Sequence, residues 1–225
     1  MTINKQIALT SVVLIATVIF FGISNVDLFV QDLFFVPQTN SWILPSDAQP
    51  YKFIFYDGIK RVLIAFVVIL LFGAVLLRKK SWMGEYKRGV GVVILSAILV
   101  PGIVGGLKKY TNMPCPKHEI RYGGEMPRTA VWQSYDEVCA KMPHIKCWPA
   151  GHASGGFALL SLFFLFKSKR NKKIAIISAI CIGWSMGLYK MMVGDHFLSH
   201  TVITMVLAWL IILIIAKFTL RGEYV

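Results

Sequence analysis

Residues 61–78 read RVLIAFVVILLFGAVLLR, in which sixteen uncharged residues stand between two arginines. A helix of about 20 mostly apolar residues crosses the hydrocarbon core of a bilayer. The whole chain shares this character, because 56% of its 225 residues are hydrophobic, 16% are charged and the mean hydropathy is +0.63. Such a composition does not cover the surface of a soluble domain. The sequence therefore predicts an integral membrane protein.

Six apolar stretches are long enough to predict membrane-spanning helices. We expect an all-α six-helix bundle that forms one membrane domain over 1–225, with its active-site half at 89–217. The predicted spans are approximately 6–24, 61–78, 89–107, 151–167, 173–192 and 200–217.

The basic residues give the chain a net charge of +13 and occur in short runs between apolar stretches. The runs at 78–88 and 167–173, together with Lys5, Lys217 and Arg221, fall on one side of the six-span arrangement. Positive charge marks the cytoplasmic side, so both termini are expected there. The same distribution argues against nucleic-acid binding, because it fits topology and anionic headgroups. The segments expected on the opposite side are 25–60, 108–150 and 193–199.

The first of these segments contains VDLFVQDLFF over 26–35, which predicts a short helix. It either lies on the membrane interface or is a simple amphipathic connector.

All five histidines fall on, or at the edge of, the face opposite the cytoplasm. Ionisable residues at membrane depth are costly and usually functional, so a one-sided set predicts one reaction centre. The five are His118, His144, His152, His196 and His200.

The stretch WPAGHASGG over 148–156 opens the fourth predicted span. Its proline and glycines predict a tight turn, and the helix N-terminus that follows offers free N–H groups to an anion. His152 in this turn is a candidate to donate a proton to a leaving oxygen. The alternative is a turn at the membrane edge whose small residues only allow helices to pack.

The stretch KMMVGDHFLSH over 190–200 leads into the sixth span. His196 and His200 are four residues apart and share a helix face. Imidazole is a nucleophile toward phosphorus, and phosphohistidine is readily hydrolysed, so His196 is a candidate nucleophile. Two alternatives are interfacial polar residues that reach water, and a metal-ligand pair completed by Asp195 or His152.

The stretch KKYTNMPCP over 108–116 follows the third span. Lys108 and Lys109 are candidates to bind phosphate oxygens, although lysines also commonly mark the ends of spans.

Together, the three stretches resemble the motifs of the type 2 phosphatidic acid phosphatase family, which shares its site with vanadium haloperoxidases. The family pattern is Lys-x6-Arg-Pro, then Pro-Ser-Gly-His, then Ser-Arg-x5-His-x3-Asp. The resemblance covers spans three to six, in motif order and membrane edge. It implies that His196 attacks phosphorus and His152 protonates the leaving oxygen, with no metal or other cofactor. The phosphate-binding residues that we expect are Lys108, Lys190, Gly151, Lys109 and Arg121.

Five positions depart from the family pattern. Cys115 and Lys190 stand where the family has arginines, which removes two planar groups suited to bidentate phosphate binding. His200 stands where the family has the aspartate that orients the nucleophile, and a neutral imidazole can still accept that hydrogen bond. Ala150 and Tyr189 replace serines. The loop cations that would restore the missing charge are Lys109, Lys117, Arg121 and Arg128.

The loop at 108–150 is long for a connection between spans and predicts a lid over a polar headgroup. It contains Cys115, Cys139 and Cys147. On an oxidising face one disulfide is expected, and the sequence leaves its pairing open. Because Cys115 replaces a phosphate-binding arginine, we expect it to be structural.

The resemblance implies a metal-independent lipid phosphate phosphatase at the periplasmic face of a bacterial inner membrane. Its partners would be the bilayer and a lipid substrate, while the oligomeric state is unknown. The alternatives are a lipid-to-lipid phosphotransferase and a non-catalytic lipid-phosphate-binding protein. The candidate substrates are undecaprenyl diphosphate, phosphatidylglycerol phosphate, phosphatidic acid and lipid A phosphate.

Overall fold

The computed structural model describes residues 1–81, 83–111, 113–133 and 145–220. The protein is mostly helical, with 73% of the described residues in helices. The α-helices in the described ranges are α1 (Ile3–Ile23), α2 (Val26–Asp32), α3 (Gly58–Leu76), α4 (Met83–Tyr110), α5 (Gly151–Ala158), α6 (Lys169–Met192) and α7 (Leu198–Thr219).

Five of the described helices are long and apolar enough to cross a membrane. They are α1, α4, α6, α7 and α3 with the π-helical turn Phe53–Asp57 that precedes it. This finding confirms the prediction of an integral membrane protein. The expected span at 151–167 is α5 followed by the 3-10 helix Leu159–Phe164. Its rise is about 24 Å, short of the ~30 Å hydrocarbon core, so the count of six spans stays a prediction.

The helices extend beyond the apolar stretches that predicted them. Ser168 caps α6, and its side chain accepts a hydrogen bond from the Asn171 amide. A capping serine sets the start of a helix, so the lysines after it belong to the first turn rather than to a loop. For this reason α6 begins at Lys169, four residues before the predicted span.

The core lies where α1, α4 and α5 pack against α7, and α6 packs against α5. Helices α5 and α6 approach each other closely, because a β-carbon on Gly156 would lie 2.7 Å from the Cα of Gly183. Small residues of this kind let helix backbones approach closely in a membrane. By contrast, no residue of α3 is buried, so this helix stands at the edge of the bundle.

The short helix expected at 26–35 is present as α2, and its polar side chains face inward. Asp27 and Gln31 are 2% and 0% exposed. The Asp27 carboxylate accepts a hydrogen bond from the Ser199 amide at 2.8 Å. The Gln31 side-chain amide donates to the Met191 carbonyl at 2.9 Å. Helix α2 therefore holds the end of α6 and the start of α7, which a simple connector would not do.

A small β-hairpin follows α2, which the all-α prediction omitted. Its strands are β1 (Phe35–Val36) and β2 (Ser41–Trp42), paired antiparallel with Phe35 opposite Trp42. Asn40 adopts a left-handed conformation in the connection, which asparagine tolerates better than most residues. The hairpin places the Trp42 ring against the turn between α6 and α7.

A disulfide joins Cys115 to Cys147, with their Cα atoms 5.3 Å apart. This pairing is one of those that the sequence left open, and it confirms that Cys115 is structural. The alternatives that involved Cys139 fall outside the described residues, as does His144. Cys181 is a free cysteine on α6.

Candidate active site

His152 lies in the first turn of α5, as its Pro-x-Gly-His context predicts. The preceding Ala150 amide donates to the Thr204 hydroxyl at 2.8 Å, which ties this turn to α7. The Tyr56 hydroxyl is 2.7 Å from Nε2 of His152, and the two rings meet edge to face. Helix α7 thus fixes the backbone before His152, and the start of the α3 span fixes its ring.

The turn between α6 and α7 presents His196. Gly194 has a φ of 73°, in the left-handed region, and a β-carbon there would lie 2.2 Å from the Trp42 ring. Only glycine meets both conditions. The amides of Asp195 and His196 both donate to the Lys190 carbonyl, at 2.8 and 3.2 Å. These bonds close the turn and aim His196 back into the bundle.

His196 and His200 form a buried imidazole pair, with their Nδ1 atoms 3.3 Å apart. One ring must donate and the other accept, so at least one of them is neutral. Burial lowers the pKa of His196 well below its usual value, and the charges of neighbouring groups lower it further. A neutral His196 that donates from Nδ1 keeps the lone pair on its Nε2, which is the form a nucleophile needs.

Lysines gather around this pair. Asp195 binds Lys190 and Lys117, each at 2.8 Å. Burial acts to raise the pKa of Asp195, but the hydrogen bonds from the two lysines outweigh it and hold the pKa below its usual value. The side chain of Lys108 passes over Gly151, with Nζ 3.5 Å from the position of a β-carbon there. The ammonium of Lys190 also lies 4.4 Å from the centre of the Tyr56 ring.

The structure brings together six of the eight predicted site residues. His152 and His196 have ring centres 6.4 Å apart, and His200, Lys108, Lys190 and Gly151 lie around them. The other two are placed elsewhere. Lys109 is exposed at the end of α4.

Arg121 makes a two-pronged contact with Asp32, at 3.0 and 2.6 Å. The hydrogen bonds that it donates to the Asp32 carboxylate raise the pKa of this guanidinium. Arg128 donates to the Ser24 carbonyl at 3.0 Å. Of the loop cations proposed to restore charge, Lys117 is therefore the one that joins the cluster through Asp195.

Tyr56 is a site residue that the motifs did not reveal. It lies almost a hundred positions before His152, at the start of an apolar span, where a tyrosine usually marks the membrane interface. Its only sequence signal is that position. The hydrogen bond to His152 depends on how α3 packs against α5, which local sequence does not encode.

The metal alternative for His196 and His200 finds no third ligand among the described residues. A different group of three residues in the described ranges has its ligand atoms within 4.8 Å of one another: Cys115, His118 and Cys147. Two of these residues form the disulfide, so their sulfurs are not free thiolates.

These features define a class of protein: an integral membrane helix bundle with paired histidines and lysines gathered at one end. The chain belongs to the PAP2 superfamily, whose model matches residues 89–223. This match confirms the resemblance seen in the three motifs. The Tyr56, Asp27 and Gln31 contacts come from residues before the matched range.

The chain is also similar to the lipid A 4'-phosphatase of Francisella tularensis subsp. novicida (strain U112). The two are 25% identical over 141 residues, which cover 60% of this chain and 60% of that protein. No solved structure matches the chain.

Proposed function

We propose that this protein is a membrane lipid phosphate phosphatase that works through a phosphohistidine at His196. The observation that carries the proposal is the pairing of His196 with His200 through Nδ1, beside a second histidine ring 6.4 Å away. This spacing leaves room for a phosphoryl group between His196 and His152. Membership of the PAP2 superfamily and the similarity to a lipid A 4'-phosphatase support a lipid phosphate as the substrate.

Lysine side chains and a helix N-terminus would bind the phosphate. Lys108 lies beside Gly151, where α5 begins and its first amides are free to bind an anion. Lys190 and Lys117 approach from the other side, held by Asp195. Cations and N–H groups fixed in place before the reaction stabilise charge that develops on the phosphoryl oxygens.

In the first step, Nε2 of His196 attacks phosphorus and the bond from phosphorus to the leaving oxygen breaks. His152 gives its proton to that oxygen, so the dephosphorylated lipid leaves neutral at this atom. In the second step, water attacks phosphorus and the P–N bond breaks. His152, now neutral, takes a proton from the water, and inorganic phosphate is released. Both histidines return to their starting state, and neither of these two steps requires a metal.

We place the chain as a single six-span domain over 1–225, with both termini in the cytoplasm and the reaction centre on the periplasmic face of an inner membrane. The arrangement of basic residues supports this orientation. The disulfide supports it as well, because such bonds persist in oxidising compartments. The loop at 108–150 would then lie over the bound headgroup.

Phosphate release from detergent-purified protein tests the proposal. The panel is undecaprenyl diphosphate, phosphatidylglycerol phosphate, phosphatidic acid and lipid A, each with and without EDTA. We expect EDTA-insensitive release that His196→Ala reduces to background and His152→Ala lowers by roughly 10²–10⁴-fold. The matched control is His118→Ala, since among the described residues His118 has no hydrogen bond or ring contact with the other histidines.

A second measurement looks for the intermediate. Brief incubation with substrate labelled with ³²P, followed by alkaline quenching, should leave acid-labile label on the wild type and none on His196→Ala. Wild-type rates in His196→Ala would contradict the nucleophile assignment, and release abolished by EDTA would indicate a metal centre. Release only in the presence of an acceptor lipid would indicate a phosphotransferase. Binding without release would indicate a lipid-phosphate-binding protein.

A further inference from the structure

A cavity of about 350 Å³ runs from His152 along the inner side of α3. Its walls are apolar and come from α3, α4 and α5, with Leu63, Val67, Val93 and Pro101 among them. Because α3 has no buried residue, the cavity lies at the outer edge of the bundle, beside the space that lipid occupies. Its volume and its apolar walls with few polar groups are typical of a ligand pocket.

Small residues line the cavity on the α5 side. Gly151 and Gly155 are one helical turn apart, and both contribute to the wall beside His152. A β-carbon on Gly155 would meet the Leu63 side chain at 3.5 Å. The two glycines expose the α5 backbone to the cavity beside the His152 imidazole.

One cation stands in this apolar wall. Lys60 lines the same cavity as His152 and lies about one turn further along the helix than Tyr56, which contacts the His152 ring. None of the ion pairs among the described residues uses Lys60. Lys60 is exposed near the start of α3, so its ammonium is open to an anionic group on a ligand that occupies the cavity.

The position of Lys60 relative to the histidines determines which part of a substrate it meets. On the proposed mechanism, His196 attacks from one side and His152 protonates the leaving oxygen on the other. The cavity extends from His152, so whatever fills it belongs to the leaving group. An uncharged alcohol would give Lys60 no partner, whereas a leaving group with its own phosphate would.

We propose that Lys60 binds a second phosphate on the leaving group, so that the preferred substrate is a lipid that remains anionic after dephosphorylation. A lipid diphosphate has this chemistry, and so does a phosphomonoester with a phosphodiester further along the headgroup. This proposal rests on the proposed phosphatase activity. It adds that the leaving group must carry its own negative charge. None of the three family motifs contains Lys60, the residue that would bind this charge.

Two matched substrate pairs test the requirement. Farnesyl diphosphate and farnesyl monophosphate share one chain, while phosphatidylglycerol phosphate and phosphatidic acid differ in the second phosphate. The variants are Lys60→Met, which keeps length but removes charge, and Lys60→Gln. The matched control is Arg61→Met, since Arg61 is the next cation on α3, but its guanidinium lies over the Phe53 ring and does not line the cavity.

We expect both Lys60 variants to lower kcat/KM for the second-phosphate substrate of each pair by about 10- to 100-fold. Rates on farnesyl monophosphate and phosphatidic acid should change less than about 3-fold, which also reports correct folding, and Arg61→Met should leave all four rates near wild type. Equal losses within each pair, or no loss, would overturn the role of Lys60 while leaving the phosphatase intact. A loss confined to one pair would identify the kind of second phosphate bound. Wild-type protein inactive on these four lipids and on the rest of the panel above would instead refute the proposed function, whereas activity confined to lipid A or undecaprenyl diphosphate would move the same Lys60 comparison to that lipid and its form with one phosphate fewer.

Discussion

At the scale of single residues, each histidine of the proposed chemistry contacts one neighbouring side chain that the family motifs do not specify. His200 replaces an aspartate, yet its Nδ1 lies 3.3 Å from Nδ1 of His196, where it can accept the same hydrogen bond. Tyr56 plays a comparable part for His152, because its hydroxyl contacts Nε2 at 2.7 Å. Each histidine that would do chemistry is thus held by one neighbouring side chain.

Tyr56→Phe should lower kcat/KM by about 10-fold, since it removes one hydrogen bond to a group that carries a proton in the reaction. As a positioning residue, Tyr56 should also shift the limb of the pH–rate profile that reports His152. The measurement is kcat/KM between pH 5 and 9. Tyr51→Phe is the control, because Tyr51 is exposed in the preceding segment. An unchanged profile with unchanged rates would exclude this role.

Sequence alone revealed His152, His196, His200 and Lys108, because each belongs to a short motif whose spacing carries its meaning. It did not reveal Tyr56, and it chose Arg121 rather than Lys117 as a phosphate-binding residue. Which loop cation reaches Asp195 depends on the path of the chain after α4, where the Lys117 amide donates to the Gly194 carbonyl at 3.0 Å. Contacts of this kind form only when distant elements pack together.

At the scale of elements, α2 acts as a clamp on the turn that carries His196. Asp27 and Gln31 are one helical turn apart on the same buried face, and they bind the start of α7 and the end of α6. Helix ends leave amides and carbonyls unsatisfied, so both contacts supply caps from another helix. The sequence predicted a helix here, but it did not indicate that Asp27 and Gln31 would be buried or which residues they would bind.

Asp27→Leu should lower the free energy of unfolding by about 1–2 kcal/mol, because the Ser199 amide loses its cap. It should also reduce phosphate release, since the start of α7 carries His200. Asp27→Asn keeps an oxygen acceptor and is expected to stay near wild type. Thermal unfolding in detergent and kcat together check this, and equal effects of the two substitutions would contradict the capping role.

At the scale of the whole molecule, the disulfide links the segment after α4 to the segment before α5. Cys115 lies one residue before Pro116 of the first motif, and Cys147 lies five residues before His152. The bond therefore ties the segment that follows Lys108 to the segment that precedes His152, the proposed general acid. The sequence supplied the cysteines, while the Cα separation of 5.3 Å selects the pair.

Reduction should lower the free energy of unfolding by about 3.5–4 kcal/mol, the value expected for closing a loop of this length. Paired Cys115→Ser and Cys147→Ser substitutions should cause a similar loss and abolish sensitivity to dithiothreitol. Cys181→Ser is the control, because that thiol lies apart on α6. Melting temperatures that do not respond to reductant in the wild type would show that the bond adds no stability.

The clamp made by α2 also has a consequence for how the protein is made. Asp27 and Ser199 are 172 residues apart, so a ribosome working at 5–20 residues per second synthesises them about 9–34 s apart. During that interval Asp27 and Gln31 lack their partners on α6 and α7, and the His196 turn does not yet exist. A nascent chain therefore inserts most of its helices before the candidate site exists, and the proposed hydrolysis can begin only after α7 has been translated and docked.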